Sequence, residues 1–194
     1  MLKSGRYPLL LTSLLTVIFF GNTTWIHVKA QLAQVLIERA WAMTLDTSNT
    51  NRPWTWADFW PVARMVDKQS GKVLYVLSSA SGESLSFGPG HMNGSALPAT
   101  AGTSIIAAHR DTHFEFLKNI KKGDVINIQR PDGFSSNYQV VGRKVVDIRN
   151  AKLTIEPGRA ALKLVTCYPF DAVVPGGSKR LVVELLRVGG RLKG

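Results

Sequence analysis

The amino-acid sequence predicts an all-β fold, a barrel or a sandwich, over most of the chain. From Val62 onward, short runs of β-prone residues alternate with turns built from glycine, proline and aspartate, which is the pattern of such folds. This part of the chain holds about 130 residues, enough to bury a single core. The N-terminal third differs, because it contains an uncharged apolar run followed by helical periodicity.

The predicted strands are short and each is bounded by turn residues. Motifs such as Gly88-Pro89-Gly90 and Pro131-Asp132-Gly133 separate them and mark changes of chain direction. A short helical turn is expected at residues 114–119. The predicted strands are residues 73–78, 85–87, 104–108, 125–129, 137–148, 162–166 and 180–188.

Residues 1–30 are predicted to be a membrane anchor or a signal segment. Lys3 and Arg6 precede the run 7–28, which contains no Lys, Arg, Asp or Glu. As a helix this run would be roughly 33 Å long, close to the ~30 Å hydrocarbon core of a bilayer. The basic flank predicts a single pass through the inner (plasma) membrane, with the N-terminus in the cytoplasm and the rest outside. The alternative is a signal peptide cleaved after Ala30.

Residues 31–61 are predicted to be a helical stalk and a tryptophan-rich lead-in to the domain at 62–194. Segment 31–45 is predicted to be a short amphipathic helix, because several of its residues fall near helical spacing: Leu32, Val35, Leu36, Arg39 and Met43. Residues 46–53 form a polar connector, and Trp54, Trp56, Phe59 and Trp60 follow it. These aromatics are either a membrane-surface belt or a cover packed on the domain, and we favour packing.

The net charge of +11 raises the class of nucleic-acid-binding proteins. The basic residues are scattered, however, and show no helix-turn-helix or aromatic-basic pattern, so we exclude that class. Attraction to an anionic envelope surface explains the charge instead. His27, His91, His109 and His113 together with one cysteine show no zinc-ligand spacing, and we predict neither a metal nor a cofactor.

Cys167 is the single cysteine of a chain predicted to be exported. Such a residue is an intermolecular bridge, a buried small hydrophobe or a working thiol. In the strand that ends there, Leu162 and Leu164 share one parity, while Val165 and Cys167 share the other. If the leucines face the core, Cys167 points away from it at the end of the strand, where an attacking thiol has to be.

His109 and Arg180 complete a reactive set with Cys167. The histidine follows an apolar run upstream, and the arginine begins another run downstream of the cysteine. A thiol can attack a carbonyl, an imidazole can move the proton, and a guanidinium can stabilise the resulting oxyanion. The sequence therefore predicts a cysteine acyl-transfer enzyme.

Four motifs in order along the chain resemble those of the sortase family. The segment before and around Cys167 resembles the sortase TLxTC signature, with Lys163 in place of its first threonine. The segment around His109 resembles AGHR-D-x-x-F, with Ala108 in place of the usual glycine. The tryptophan-rich lead-in and the anchor resemble the Gram-negative (proteobacterial) subgroup. The four matching segments are residues 87–91, 106–114, 164–170 and 178–183.

This resemblance implies a closed, eight-stranded sortase-type β-barrel with short helices and a cysteine transpeptidase activity. Cys167 would attack the threonine carbonyl of an LPxTG-like C-terminal sorting signal, His109 would act as general acid and then base, and Arg180 would stabilise the intermediate. Thr166, Ala108 and Tyr168 would lie at the substrate. The resemblance also implies a dedicated substrate protein and an amine acceptor, whose identity the sequence leaves open, and water in its place would make the enzyme a peptidase.

Two other functions stay open on the residues alone. An L,D-transpeptidase also uses an exported cysteine, but there a Ser-x-Gly stretch precedes it, whereas Val165 and Thr166 stand here. A non-catalytic, membrane-tethered basic module would bind anionic envelope polymers and would not need Cys167. The segment 97–101 reads Leu-Pro-Ala-Thr-Ala and resembles a sorting signal. We interpret it as a proline-containing loop rather than a pseudosubstrate.

Overall fold

Eight strands close into a barrel that follows a long N-terminal helix. The computed structural model describes residues 6–47, 49–150, 153–155, 158, 160–174 and 176–189, so the first five residues of the predicted 1–30 segment lie outside it. The elements are α1 (Arg6–Thr47), β1 (Pro61–Asp67), β2 (Val73–Leu77), α2 (Gly82–Phe87), β3 (Gly90–His91), β4 (Thr103–Ala107), a 3-10 turn (Glu115–Lys118), β5 (Val125–Gln129), β6 (Ser135–Asp147), β7 (Ala161–Cys167) and β8 (Lys179–Val188).

The strand order around the barrel is β1-β2-β3-β4-β7-β8-β6-β5, and the sheet is closed. The predicted closed eight-stranded barrel is therefore confirmed. Only two pairings are parallel, β2 with β3 and β4 with β7. Strands β1, β4, β6 and β7 consequently end at one mouth of the barrel, which we call the cysteine end because Cys167 closes β7 there. The other mouth is the opposite end.

Two predictions about local structure were wrong. Residues 85–87, predicted as a strand, lie inside α2, whose first turn is capped by the Ser81 hydroxyl accepting from the backbone N–H of Ser84. Strand β1 was not predicted, because Ala63 and Arg64 interrupt its β-prone run. It is nonetheless a regular strand in which alternate residues are buried, and Ala63 and Met65 point into the core.

The core fills the barrel and extends to a plug at the cysteine end. Leu162 and Leu164 of β7 face the core, as the alternation predicts. Leu117 in the 3-10 turn after β4, and Phe114 and Ile120 on either side of it, are buried in the same cluster. The chain between β4 and β5 therefore covers this mouth of the barrel and is fixed by apolar burial.

Helix α1 packs on the barrel through a different face from the predicted one. Leu32, Val35 and Met43 are exposed, so the predicted apolar face was wrong. The contact face contains small residues, which allow the helix backbone to approach the sheet closely, together with Ile37, which packs on Phe59 and Leu77. The buried residues of this face are Ala33, Ile37, Ala40, Trp41 and Thr44.

Part of the tryptophan-rich segment packs against the domain. Trp54 lies edge-on to Phe59, with ring centroids 5.4 Å apart, and to Phe87, at 5.2 Å. It therefore packs against the domain, as we favoured. Trp56 is 81% exposed. In the part of the chain that the structure describes, none of the helices combines the length and the apolar character that crossing a bilayer requires.

Candidate active site

Cys167 and Arg180 are direct cross-strand neighbours. In the antiparallel pair of β7 and β8, the last residue of β7 lies opposite the second residue of β8. Residues directly opposite in such a pair have Cβ atoms roughly 5 Å apart and share a face of the sheet. Because Leu164 faces the core, Cys167 and Arg180 lie on the outer face, as the parity of the sequence predicts.

His109 is carried to the same place by β4. This strand runs parallel to β7 with Ala107 beside Val165, so two residues further along His109 leaves the sheet next to Cys167. Two hydrogen bonds hold the strand end there. The Ala108 N–H donates to the Val165 carbonyl at 3.2 Å, and the Thr166 hydroxyl donates to the Ala108 carbonyl at 2.7 Å.

The reactive groups differ in exposure. Cys167 is half-buried and forms no disulfide, and His109 is exposed. Arg180 uses Nη1 to donate to the loop carbonyls of Gly177 and Lys179. A guanidinium carries five N–H groups, so its remaining donors are not consumed by these two bonds. The arrangement provides a thiol, an imidazole and a cation at one strand end.

The other predicted site residues surround this set in different ways. Ala108 is 6% exposed and Thr166 is 2% exposed, whereas Tyr168 is 37% exposed. The two residues before the histidine and the cysteine therefore bond to each other in the interior, and Tyr168 presents its side chain at the surface. Tyr168 also borders a cavity of about 410 Å³ at the cysteine end, together with Phe170, Leu181 and the basic Arg143.

A buried apolar cluster lies on the outer face of the barrel near the cysteine. It consists of Ile105 of β4, Val165 of β7 and Val182 of β8, and Leu153 from the β6–β7 loop packs against it. The three strand residues have the parity of Cys167 on neighbouring strands, and each is at most 7% exposed. The loop therefore covers the outer face of the sheet beside the thiol.

Lys163 holds the β6–β7 loop over that buried cluster. Its ammonium donates to the Thr154 carbonyl at 2.7 Å and lies 3.7 Å from the carboxylate of Glu184. A hydrogen bond from Lys144 lowers the pKa of Glu184, and the charge of Lys163 acts in the same direction. Lys163, which replaces the first threonine of the TLxTC pattern, is therefore nearly buried and fixes the β6–β7 loop.

Sequence reasoning missed the role of Arg110. Its guanidinium donates from Nη2 to the Ala172 carbonyl at 2.7 Å and so joins the histidine segment to the β7–β8 loop. The adjacent His113 is partly buried. Desolvation lowers the pKa of His113, and the charges of Lys72 and His109 add to that effect. The only signal in the sequence was an arginine directly after the histidine, which does not identify its partner.

The segment 97–101 lies far from the cysteine. Leu97, Pro98 and Thr100 border a cavity of about 730 Å³ at the opposite end of the barrel, together with Trp60 and His91. The segment forms a turn, in which the Thr100 hydroxyl donates to the Leu97 carbonyl at 2.7 Å. Within its own chain it cannot reach Cys167, which agrees with its interpretation as a loop.

Metal ligands are not grouped at this site. Over the described ranges, no cluster of three or more His, Cys, Asp or Glu side chains is arranged to hold a metal ion.

A model of the sortase domain matches residues 66–188, which is more than half of the chain. The chain is 30% identical over 116 residues to sortase D of Bacillus subtilis (strain 168). This match covers 59% of the chain and 58% of that relative, so the chain spans less than two thirds of the length of the curated relative it matches.

Solved structures give the same family. Sortase C-1 from Actinomyces oris is 30% identical, with a TM-score of 0.60, over 67% of this chain and 75% of that one. Sortase A from Corynebacterium diphtheriae superposes with a TM-score of 0.61 over 84% of this chain and 86% of that one. Its identity is 24%, and it supports the fold alone.

Proposed function

Because this chain belongs to the sortase family, we propose that it is a cysteine transpeptidase that transfers proteins to an amine acceptor at the cell envelope. Its substrate would carry an LPxTG-like sorting signal at the C-terminus. The observation that carries this proposal is the pairing of Cys167 with Arg180 across β7 and β8, beside a histidine whose strand end is fixed by Thr166.

In the first half-reaction, the Cys167 thiolate attacks the carbonyl carbon of the signal threonine. The C–S bond forms and the bond from threonine to the following residue breaks. His109 donates its proton to the departing amine, which leaves as the N-terminus of the released fragment. Arg180 hydrogen-bonds the tetrahedral oxyanion, an interaction whose loss typically costs ~10²–10³ in rate.

In the second half-reaction, an acceptor amine attacks the thioester carbonyl and His109 removes the proton of that amine. A C–N bond forms, the C–S bond breaks and the thiolate is regenerated. If water takes the place of the amine, the same steps hydrolyse the signal. Tyr168, which is 37% exposed, would contact the signal at the exposed side of the thiol.

Thr166 and Ala108 act in this proposal through position. Their mutual hydrogen bond fixes the strand ends that carry Cys167 and His109, and both side chains are buried. They are therefore positioning residues rather than residues that contact the substrate.

We also propose that residues 7–28 anchor the protein in the inner membrane, with the barrel outside the cytoplasm. The basic flank at Lys3 and Arg6 and the uncharged run that follows support this. The domain would then comprise residues 62–194 and its lead-in 31–61. The tryptophan-rich lead-in supports placing the chain in the proteobacterial subgroup. A dedicated substrate protein and an amine acceptor are the expected partners.

The test is to detect the thioester directly. The full chain in detergent is incubated with an LPxTG peptide without any added amine, and intact mass spectrometry follows the protein. We expect an adduct equal to the peptide fragment up to threonine, on Cys167, and none in Cys167→Ala or with a peptide of scrambled order. His109→Ala should fail to accumulate the adduct.

A non-catalytic basic module predicts a different result. Such a protein would show no adduct and no cleavage across a panel of LPxTG variants, and Cys167→Ala would leave its binding to anionic polymers intact. That binding would weaken steeply with salt. This combination would reject the transpeptidase.

A further inference from the structure

The direction of α1 along the barrel is fixed by its contacts. Near the start of the packed part, Gln34 donates to the Phe87 carbonyl at the end of α2, at 2.8 Å. The end of α2 lies near the histidine segment, since the backbone of Ser86 acts to raise the pKa of His113. At the other end of the helix, Thr44 borders the cavity at the opposite end of the barrel. Helix α1 therefore runs from the cysteine end to the opposite end.

Followed backward from Gln34, the helix leaves the barrel at the cysteine end. It continues without interruption to Arg6. Val28, where the proposed anchor ends, is six residues before Gln34, or about 9 Å along the helix axis. Val28, Leu32 and Val35 are all more than half exposed and recur at helical spacing, so an apolar stripe lies where the helix leaves the barrel. An anchored α1 thus brings the membrane surface close to the cysteine end.

The same end carries a basic rim, which we define as Lys118, Lys121, Lys122, Arg143 and Lys144. All five residues are exposed and border the two adjoining cavities at this mouth. The rim is held on a rigid base, because Ile120 is buried in the core and its carbonyl accepts a hydrogen bond from Arg143. Asp171 is the acid that borders the cavity beside Tyr168.

Ion pairs occur at both ends of the barrel. At the opposite end Arg130 and Asp132, which border the large cavity there, pair at 2.6 Å, and at the cysteine end Lys144 of the rim pairs with Glu184 at 2.9 Å. The five basic residues of the rim still outnumber the acids beside them, Glu184, Asp171 and Asp124, so the rim keeps a net positive charge at the end that the helix points toward the membrane. A polybasic surface next to a bilayer is attracted by anionic headgroups within about a Debye length.

We propose that α1 holds the barrel with its cysteine end facing the membrane, and that the basic rim contacts anionic phospholipid headgroups. This inference rests on the anchoring part of the proposed function. The contact would place Cys167 near the bilayer surface and the 97–101 turn far from it. Strand β7 has seven residues, so the two mouths differ in height by roughly 20 Å.

Because Cys167 is the single cysteine, the orientation can be measured with one dye. The full chain is reconstituted in vesicles of phosphatidylglycerol and phosphatidylcholine that contain a headgroup-labelled energy acceptor. A donor dye is attached to Cys167, or to Ser135→Cys in a Cys167→Ser background. Ser135 is exposed at the start of β6, at the opposite end, and serine to cysteine is nearly isosteric.

We expect energy transfer from position 167 to be about threefold or more stronger than from position 135, given the ~20 Å difference in height. Equal transfer from both positions, or stronger transfer from 135, would overturn the orientation. A chain that does not float with the vesicles would overturn the anchoring that the inference requires.

Contact by the basic rim is tested in the same vesicles. Lys122→Glu and the double variant Lys121→Glu/Lys122→Glu should weaken transfer from position 167, and so should replacing phosphatidylglycerol with phosphatidylcholine. Arg52→Glu, an equal charge change at the opposite end, should leave it unchanged. If the rim variants match the wild type and anionic lipid has no effect, the lipid contact is rejected.

The thioester assay separates this inference from the catalytic proposal. Unlabelled chain that forms the Cys167 adduct in detergent, yet shows equal transfer from both dye positions in vesicles, retains the proposed activity and refutes the orientation. Chain that shows the expected orientation without any adduct retains the orientation and refutes the activity.

Discussion

The Thr166 hydroxyl donates a 2.7 Å hydrogen bond to the backbone carbonyl of Ala108, 58 residues away along the chain. Each of these residues directly precedes a member of the reactive set, Cys167 in one strand and His109 at the end of the other. This buried side-chain bond, together with the bond from the Ala108 N–H to the Val165 carbonyl, joins the two strand ends at the point where the thiol and the imidazole leave the sheet.

Thr166→Val removes this bond while keeping the shape of the side chain. The Ala108 carbonyl loses a buried partner, so the free energy of unfolding should fall by about 1–3 kcal/mol. Displacement of His109 relative to Cys167 should slow thioester formation, on the order of 10²-fold. Urea unfolding and a mass-spectrometric time course measure the two effects. Thr166→Ser keeps the hydroxyl, so its stability and acylation rate should remain close to those of the wild type. A Thr166→Val variant that acylates at the wild-type rate would show that the bond does not position His109.

Arg110→Ala should loosen the β7–β8 loop without unfolding the barrel. The arginine ties this loop to the histidine segment through the Ala172 carbonyl, and Val173 and Val174 beside it are 96% and 76% exposed. We expect faster cleavage at these valines by thermolysin, slower acylation, and a loss of less than about 1.5 kcal/mol in stability. Arg130→Ala, at the opposite end, is the matched control. Equal cleavage rates in the two variants would show that the bond from Arg110 to the Ala172 carbonyl does not hold the β7–β8 loop.

The sequence predicted the parts of the site that depend on order and alternation. The parity of Leu162, Leu164 and Cys167 was enough to place the cysteine on the outer face, because side chains alternate strictly along a strand. The strands with continuous β-prone runs were found within one or two residues of their observed ends. Strand β1 was missed because its arginine faces outward within a short run.

The rest depended on contacts between residues distant in sequence. The face of α1 that packs on the barrel was set by Ala33 and Ala40, whose small size permits close approach, and not by the larger Leu32 and Val35. The partner of Arg110 lies 62 residues away, and that of Lys163 lies on a loop. Periodicity and local motifs carry no information on such pairs.

Lys163→Thr, which restores the residue of the family pattern, should release the β6–β7 loop. The ammonium donates to the Thr154 carbonyl, and its side chain is 11% exposed, so we expect a loss of about 1–3 kcal/mol in unfolding free energy. Limited proteolysis should cut near Thr154 more quickly. Lys144→Thr, which removes the more exposed partner of Glu184, should leave the loop protected, and equal protection in both variants would refute the anchor.

Glu184 predicts a dependence of stability on pH. Lys144 and then Lys163 lower its folded pKa below the unfolded value of about 4.3. A carboxyl with a lowered pKa stabilises the fold above the unfolded pKa, and this contribution is lost as the pH falls through the folded value. Glu184→Gln should therefore show a flatter decline in melting temperature below pH 5 than the wild type. The difference between the variant and the wild type should be small, because the Glu184 carboxylate is about one third exposed. If the melting temperatures of both proteins fall equally below pH 5, Glu184 does not contribute to the pH dependence.

Ala108→Gly tests whether the glycine usual at this position is needed for catalysis. Among the described residues, Ala99 is the one non-glycine residue with a positive φ, so the backbone at Ala108 does not require glycine. The buried methyl group of Ala108 contributes to the core. We expect Ala108→Gly to cost about 0.5–1 kcal/mol while thioester formation stays near the wild-type rate, because the reactive groups are unchanged. Thermal unfolding and a mass-spectrometric time course measure the two effects, and a large change in acylation rate in Ala108→Gly would show that the methyl group sets the position of His109.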